Sequence, residues 1–432
     1  MILVRAMNIW VIQVGEPISF VDGNGRCFRA EMLVNRLVER GHCVMRWTST
    51  FNHLRKSFRF LDCQTVSFGS RLRYRFLHGP TAYRTSVSFD HFQHDRELAD
   101  AFSASISEES IPDVILCSVP PLRLTRRVAD YANAHGVPLI VDVRDTWPDS
   151  LLASLHFLLR PIAKWFLRHD RRRARQIFYR ARGITAISTE CLRWGVKQAD
   201  RKLGPWDVVF PVGCEEPPKK IFSDEEDRKE FLRGIHAEDA KMIVTYIGRA
   251  GASFDGKLVL KLMYDSFGRH GKSVQFIVAG EGPGLQLFEK NQPKLPNLTV
   301  VGWLDRTSLY RLLAVTSIGL LPYKNVHRLD IRNKPLDFLS MGVPVISSLP
   351  GDFAELLSRC NCGLTFPAGS YEMLHSHFDR LLRTPQLCKL MGENGLKEFC
   401  DHFAANDIYG AFVDHLERFH KSHDVTPFRK TF

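Results

Sequence analysis

The sequence predicts an α/β protein with two doubly wound domains, each built on a parallel sheet. Three observations predict it. Short apolar runs of strand length alternate with helical stretches, the pattern of a sheet covered by helices. The 432 residues suffice for two such domains. The segment 211–220, PVGCEEPPKK, has tandem prolines, mixed charge and no periodicity, which marks a linker. Domains are expected over 1–215 and 216–405, with a last helical segment over 406–432.

Composition is globular, at 44% hydrophobic and 25% charged. No apolar run reaches the roughly 18 residues that span a membrane. The opening MILVRAMNIWVIQV has no small-residue cleavage site, so no secretory leader is expected. The ten cysteines are scattered, with Cys360 and Cys362 the only close pair, and no metal-ligand spacing appears. Reduced thiols of a cytoplasmic protein are expected. Residues 1–215 hold 31 Lys and Arg against 21 Asp and Glu, and the remainder 28 against 26. An anionic partner should therefore meet the first half.

In the first domain, strands are expected at Ile9–Val14, Cys43–Trp47, Val114–Cys117, Leu139–Val143 and Gly183–Ile187. Helices are expected at Phe28–Arg40, Leu122–His135 and Thr189–Ala199. Ligands of such sheets bind beyond the carboxyl ends of the strands. The first strand leads into a loop with Gly23, Asn24 and Gly25, either a phosphate-approaching turn or a plain one. Arg71, Arg73 and Arg75 alternate with apolar residues, placing three guanidiniums on one face of a strand. They fit an anionic partner or a solvated face. The fifth strand ends in VDVRDTWPDS. Asp142, Arg144 and Asp145 there are catalytic candidates by position, or a structural ion pair.

Leu155–Arg182 reads as a helical stretch. Leu155, Leu158, Leu159, Ile162, Trp165 and Phe166 share one face, and Arg160, Lys164, Arg168, Arg171 and Arg175 another. Arg172 lies in the Arg171–Arg173 cluster. This fits a helix in the interface of an anionic membrane, or one packed on the core with a solvated basic side. No nucleic-acid module accompanies the charge, so no nucleic-acid partner is expected.

In the second domain a helix is expected near Asp224–Gly234, then strand Met242–Ile247 ending in GRAGASFDGK. Gly248 gives backbone room there, and Arg249 and Lys257 bring positive charge. Strand Val274–Ala279 runs into a turn with Gly280 and Gly282. Strands Asn297–Gly302 and Ile318–Pro322 flank helix Asp305–Ala314. The stretch 329–348, LDIRNKPLDFLSMGVPVISS, begins polar, turns helical through Lys334–Met341 and ends in strand Val343–Ser347. A helix start at Asn333 offers free N–H groups to a phosphate, with Lys334 beside it as a cation. Asp337, one turn on, is placed to accept hydrogen bonds from sugar hydroxyls. Three terminal helices are expected at Tyr371–Leu382, Gln386–Phe399 and Asp407–His420.

That stretch resembles the donor-binding segment of family-four retaining glycosyltransferases, whose GT-B fold has two Rossmann-like domains facing a central cleft. Asp337 matches the second of the family's two acids, and Gly342, Pro344, Val345 and Ile346 its tail. Leu329 stands where the first acid is common, with Asp330 one place out of register. Asp142–Pro148, DVRDTWP, is similar to a motif of a subgroup that builds bacterial surface polysaccharides.

The resemblance implies a nucleotide-sugar substrate and no separate cofactor or metal. It places the donor diphosphate by Gly25, Gly248, Arg249, Lys257, Asn333 and Lys334, and the nucleotide by Gly280, Gly282 and Trp303. Asp142, Arg144 and Asp145 would face the cleft, where many relatives place a His that has no equivalent here, and which group lies beside the reacting carbon stays open. It implies retention of configuration and a final helix that crosses back to the first domain. The acceptor expected is a polyprenyl-diphosphate-linked saccharide, or another anionic lipid, at the inner face of the plasma membrane. Arg71, Arg73, Arg75, Lys164, Trp165, Arg168 and Arg172 would serve acceptor and membrane. Two other readings stay open: a nucleotide-sugar epimerase of the same architecture, and a non-catalytic membrane-associated protein that keeps the fold, which Leu329 supports.

Overall fold

The computed structural model describes residues 6–23, 26–85, 88–324 and 333–424. It divides into two units. The first holds the chain up to Gly23, Cys27–Pro211 and the chain from Asn406; the second holds Arg26 and Val212–Ala405.

The first unit is built on eight strands: β1 (Asn8–Ile12), β2 (Cys43–Ser49), β3 (Gln64–Phe68), β4 (Leu72–Leu77), β5 (Val114–Val119), β6 (Leu139–Val143), β7 (Gly183–Ala186) and β8 (Asp207–Val209). Their order is β8-β7-β6-β5-β1-β2-β4-β3. All neighbours are parallel except β3 and β4. β5, β6 and β7 are buried throughout, because helices cover both faces of a parallel sheet. On one face Trp10 stacks on Tyr131 at 5.2 Å and packs on Trp47 at 5.0 Å.

Several elements were not anticipated, a helix and an edge strand among them. Helix Phe89–Ser105 buries His94, Leu98, Ala99, Phe102 and Ser105, too sparse an apolar stripe to stand out among its polar residues. β3 pairs only along the sheet edge and is largely exposed, so it carries no strong hydrophobic signal. The stretch 155–182 is not one helix. It forms a 3₁₀ turn at Phe157–Leu159, a helix at Arg160–Phe166 and a second at Arg168–Arg180. Pro161 lies in the first turn of the middle piece, where its missing N–H is tolerated; further inside a helix it would break the bonding.

His94 and His415 are buried in this unit, and burial pushes both imidazoles down to about 4. His415 lies against Trp206 and Phe210, and its Nε2 has no hydrogen-bond partner among the described residues. A depressed histidine pKa favours the neutral form in the fold. Its stabilising effect is full above the ordinary value of about 6.5 and is lost as pH falls toward 4. Thermal unfolding scans from pH 7 to pH 4 should therefore show a falling midpoint. His415→Phe should make that fall shallower, and an unchanged pH profile would remove His415 from the account.

The second unit has six strands, β9 (Met242–Ile247), β10 (Val274–Ala279), β11 (Leu298–Gly302), β12 (Ile318–Leu321), β13 (Val345–Ser347) and β14 (Gly363–Thr365). All pairs are parallel, in the order β11-β10-β9-β12-β13-β14. The strand order reverses between β9 and β12, the switch point where open α/β sheets bind ligands. β9 and β10 have the bounds expected from their apolar runs.

Candidate functional site

The carboxyl ends of β9, β10 and β11 are closed by tight glycine turns. Gly248 follows β9 at φ +94°, and Gly280 follows β10 at φ +146°. A Cβ on Gly280 would stand 2.0 Å from the Gly248 carbonyl oxygen, so neither turn tolerates a side chain between them. A Cβ on Gly248 would stand 2.4 Å from Cε of Lys334. Glycine is therefore what lets Lys334 lie across this edge.

Lys334 is half-buried in the first turn of helix Asn333–Ser340. Its Nζ donates to the Tyr246 hydroxyl at 3.1 Å and to the Arg249 carbonyl at 3.2 Å. It also lies 5.0 Å from the centre of the Tyr246 ring and 5.7 Å from that of Tyr323. Burial pushes the Tyr246 phenol up, so it stays protonated and donates to the Arg249 carbonyl at 2.9 Å. An ammonium, a helix N-terminus and the Gly248 turn thus converge, a combination that suits a phosphate. Gly248→Ala should displace Lys334 and weaken nucleoside diphosphate binding about tenfold or more by titration calorimetry; undiminished affinity would show that the close approach is not used.

The other expected donor residues are spread around this edge. Arg249 is exposed beside Gly248, and Lys257 is exposed in the first turn of helix Gly256–His270. Gly282 follows Gly280 and packs on the Ala250 carbonyl. Trp303, just beyond β11, is 54% exposed. Gly25, Leu329 and Asp330 lie outside the described residues.

Asp337 is only 1% exposed. One of its oxygens accepts from Arg306 at 2.9 Å, and Arg26 spans both oxygens at 2.9 and 3.1 Å. Cys214 Sγ lies 3.5 Å away, its thiol pushed up to about 12 by burial and by the Asp337 charge. Arg306 is held charged by Asp337 against the effect of its own burial. The carboxylate read as a sugar contact thus sits in a buried ion-pair cluster that anchors the helix carrying Lys334. Arg306 and Tyr246 escaped the sequence reading. The first lies in an ordinary polar helix turn and the second in an apolar strand, and neither has a local signal.

A cavity of about 630 Å³ opens at the opposite, amino-terminal edge of this sheet, lined by Met242, Val274, Ser317 and Pro344 among others. It lies away from the strand ends that carry the glycine turns, and we do not assign it to the site.

In the first unit, Asp142 closes the buried end of β6. It accepts from Arg29 at 3.0 and 3.2 Å and from Thr185 at 2.9 Å. Burial alone would raise its carboxyl, but Arg29 and Arg144 hold it below the ordinary range. Arg29 also donates to the carbonyls of Phe210 and Pro211 at 2.7 and 2.8 Å. Asp142 thus sits in a buried ion pair, with Arg29 as the partner where the sequence suggested Arg144.

Arg144 pairs with Glu16. Glu16 is itself buried, accepts from the Ala30 N–H at 2.9 Å and lies 3.8 Å from the fully buried Arg46. Asp145 follows Arg144 and is half-exposed. Glu16 and Arg46 were overlooked, although an arginine inside the apolar run Cys43–Ser49 signals a buried charge that needs a partner. Among Arg71, Arg73 and Arg75, the like charges are relieved in the chain itself. Arg73 pairs with Glu109 at 2.7 Å and Arg75 with Glu108 at 2.8 Å, while Arg71 is exposed before β4.

The two doubly wound units together make the GT-B fold. The structure is similar to sucrose-phosphate synthase from Thermosynechococcus elongatus, with a TM-score of 0.68 at 16% identity, over 96% of this chain and 99% of that one. It is also similar to WaaG, a glycosyltransferase involved in lipopolysaccharide biosynthesis, with a TM-score of 0.64 at 13% identity, over 94% and 98%. Residues 241–384 match the family of glycosyl transferases group 1. The alpha-D-kanosaminyltransferase of Streptomyces kanamyceticus is 25% identical over 265 residues, which are 60% of this chain and 65% of that protein. This chain thus spans just under two thirds of the curated relative it matches.

Proposed function

We propose that this protein transfers a sugar from a nucleotide-sugar donor to an acceptor, with the donor diphosphate seated on the second unit. The observation that carries this is the Gly248–Lys334 cradle at the carboxyl ends of β9 to β11. Both of its residues fall inside the segment that matches the glycosyl transferases group 1. As the glycosidic bond breaks, negative charge builds on the leaving diphosphate. Lys334, Arg249 and the helix start at Asn333 meet that charge with groups already in place, which lowers the barrier without a metal ion. Transfer with retention, by front-face attack through an oxocarbenium-like state, fits this arrangement.

In the first unit Arg144, held by Glu16 beyond the end of β6, and Asp145 are the side chains we assign to the reacting sugar or acceptor. The acceptor we assign is a lipid-linked saccharide in bacterial surface polysaccharide assembly, with the protein on the cytoplasmic face of the membrane. The excess of basic residues in the first half and the DVRDTWP run support that assignment. The test is a thermal-shift screen against UDP, GDP, ADP, dTDP and CMP. One diphosphate should raise the midpoint, and the matching nucleotide sugar should release it on incubation with lipid-linked acceptor. No shift with any of the five would sink the reading.

A further inference from the structure

The segment 157–175 carries a surface that the transfer chemistry leaves unused. Phe157, Leu158, Leu159, Ile162, Trp165 and Phe166 are between 52 and 69% exposed. Helix Arg160–Phe166 buries none of its residues. So the core-packed reading fails for Phe157–Phe166, where six large apolar side chains stand in water within ten residues, and holds only for helix Arg168–Arg180, which buries Ala174, Ile177 and Phe178. A run this dense marks an interaction face.

The charges beside it indicate what covers it. Lys164, Arg168, Arg172 and Arg175 are exposed on the same segment, at spacings of four, four and three. None has a carboxylate partner among the described residues. Their neighbours differ: Arg171 pairs with Asp149 at 3.3 Å and Arg173 with Asp170 at 2.6 Å, while Arg160 folds back on the carbonyls of Leu155 and Ala153. The guanidinium of Arg168 lies 4.5 Å from the centre of the Trp165 ring, joining the apolar and basic parts. Tyr179, 74% exposed, extends the face by one more turn.

We propose that this face seats the protein on an anionic lipid bilayer. The apolar residues enter the headgroup boundary, Trp165 lies at its level, and the four cations meet the lipid phosphates. Aromatic rings beside long cationic side chains are the composition of the membrane interface. No helix of the described residues is long and apolar enough to cross a membrane, so the attachment proposed is to the surface. The inference deepens the lipid-linked acceptor reading and rests on it only for its purpose; binding to lipid needs no donor.

The test is sedimentation of the whole protein with vesicles of phosphatidylcholine alone, or with phosphatidylglycerol added. Anionic vesicles should bind about tenfold or more tightly, and high salt should reduce the difference. Lys164→Glu with Arg172→Glu should remove the preference. Trp165→Ser with Phe166→Ser should abolish binding. Quenching by brominated lipid should be smaller in Trp165→Phe than in the unsubstituted protein. Each variant should keep its thermal midpoint and its nucleoside diphosphate affinity, since the substituted side chains are exposed in the first unit. Loss of vesicle binding with diphosphate binding intact supports the proposal, whereas loss of both indicates a folding defect, for which the single Trp165→Phe variant is the control. No vesicle binding by the unsubstituted protein overturns it, as does binding that the substitutions leave unchanged. A dimer that the Trp165 and Phe166 substitutions disperse also overturns it, in favour of contact between copies.

Discussion

Lys334→Ala is expected to remove about half or more of the thermal stabilisation that a nucleoside diphosphate confers on the unsubstituted protein. A ligand at about 100 times its dissociation constant adds roughly 2.7 kcal/mol to stability. A charge-assisted hydrogen bond to phosphate is worth about 1.5–3 kcal/mol. Its loss weakens affinity about 10- to 100-fold, which cuts the stabilisation to about 1.4 kcal/mol at the low end and about 0.4 kcal/mol at the high end. Nζ donates to the oxygens of Tyr246 and Arg249, and these two hydrogen bonds orient the ammonium over Gly248. Turnover should fall further, by about 10²–10³, because the same charge meets the leaving diphosphate in the transition state. Lys334→Arg should not restore it, since the space over Gly248 holds a slender methylene chain and no planar guanidinium. If Lys334→Ala shows the full shift, the diphosphate lies elsewhere.

Arg29→Met should destabilise the first unit by about 3–5 kcal/mol, because it leaves a buried carboxylate without its counter-charge. Both partners of the Arg29–Asp142 pair are buried, and Arg29 further ties down the Phe210 and Pro211 carbonyls, where the chain leaves the unit. Asp142 is depressed in the fold. Its stabilising effect is present above the ordinary carboxylate range and is lost as pH falls through the folded value. In Arg29→Met that dependence should weaken or reverse, since burial is then opposed only by the Arg144 charge and the Thr185 hydrogen bond. Arg29→Met with Asp142→Asn should recover part of the loss. Urea unfolding at neutral and acid pH checks all three, and a single-variant loss below about 1 kcal/mol would show that water reaches the carboxylate.

The parallel sheets were legible because their buried strands are continuous apolar runs. Met242–Ile247 and Val274–Ala279 could be read to the residue for that reason. Helix Phe89–Ser105 was not legible, because its burial is concentrated in a few side chains of a polar stretch. In the site, Gly248 and Lys334 could be singled out from a glycine after a strand and a lysine at a helix start. Tyr246, which holds the lysine, reads as one more apolar strand residue. Glu16 reads as a loop acid, and only its contacts with Arg144, Arg46 and the Ala30 N–H give it a role.

The sequence by itself determined the α/β class, the glycine turns at the strand ends and the amphipathic composition of 155–182. These follow from periodicity and backbone freedom, which are local. Whether Asp337 meets solvent or arginine, whether Asp142 is open or paired, and whether the face from Phe157 to Phe166 is covered were decided by the tertiary structure. Each depends on what residues distant along the chain bring to the same place: Arg306 to Asp337, Arg29 to Asp142, and nothing among the described residues to Trp165 and Phe166 that would bury them.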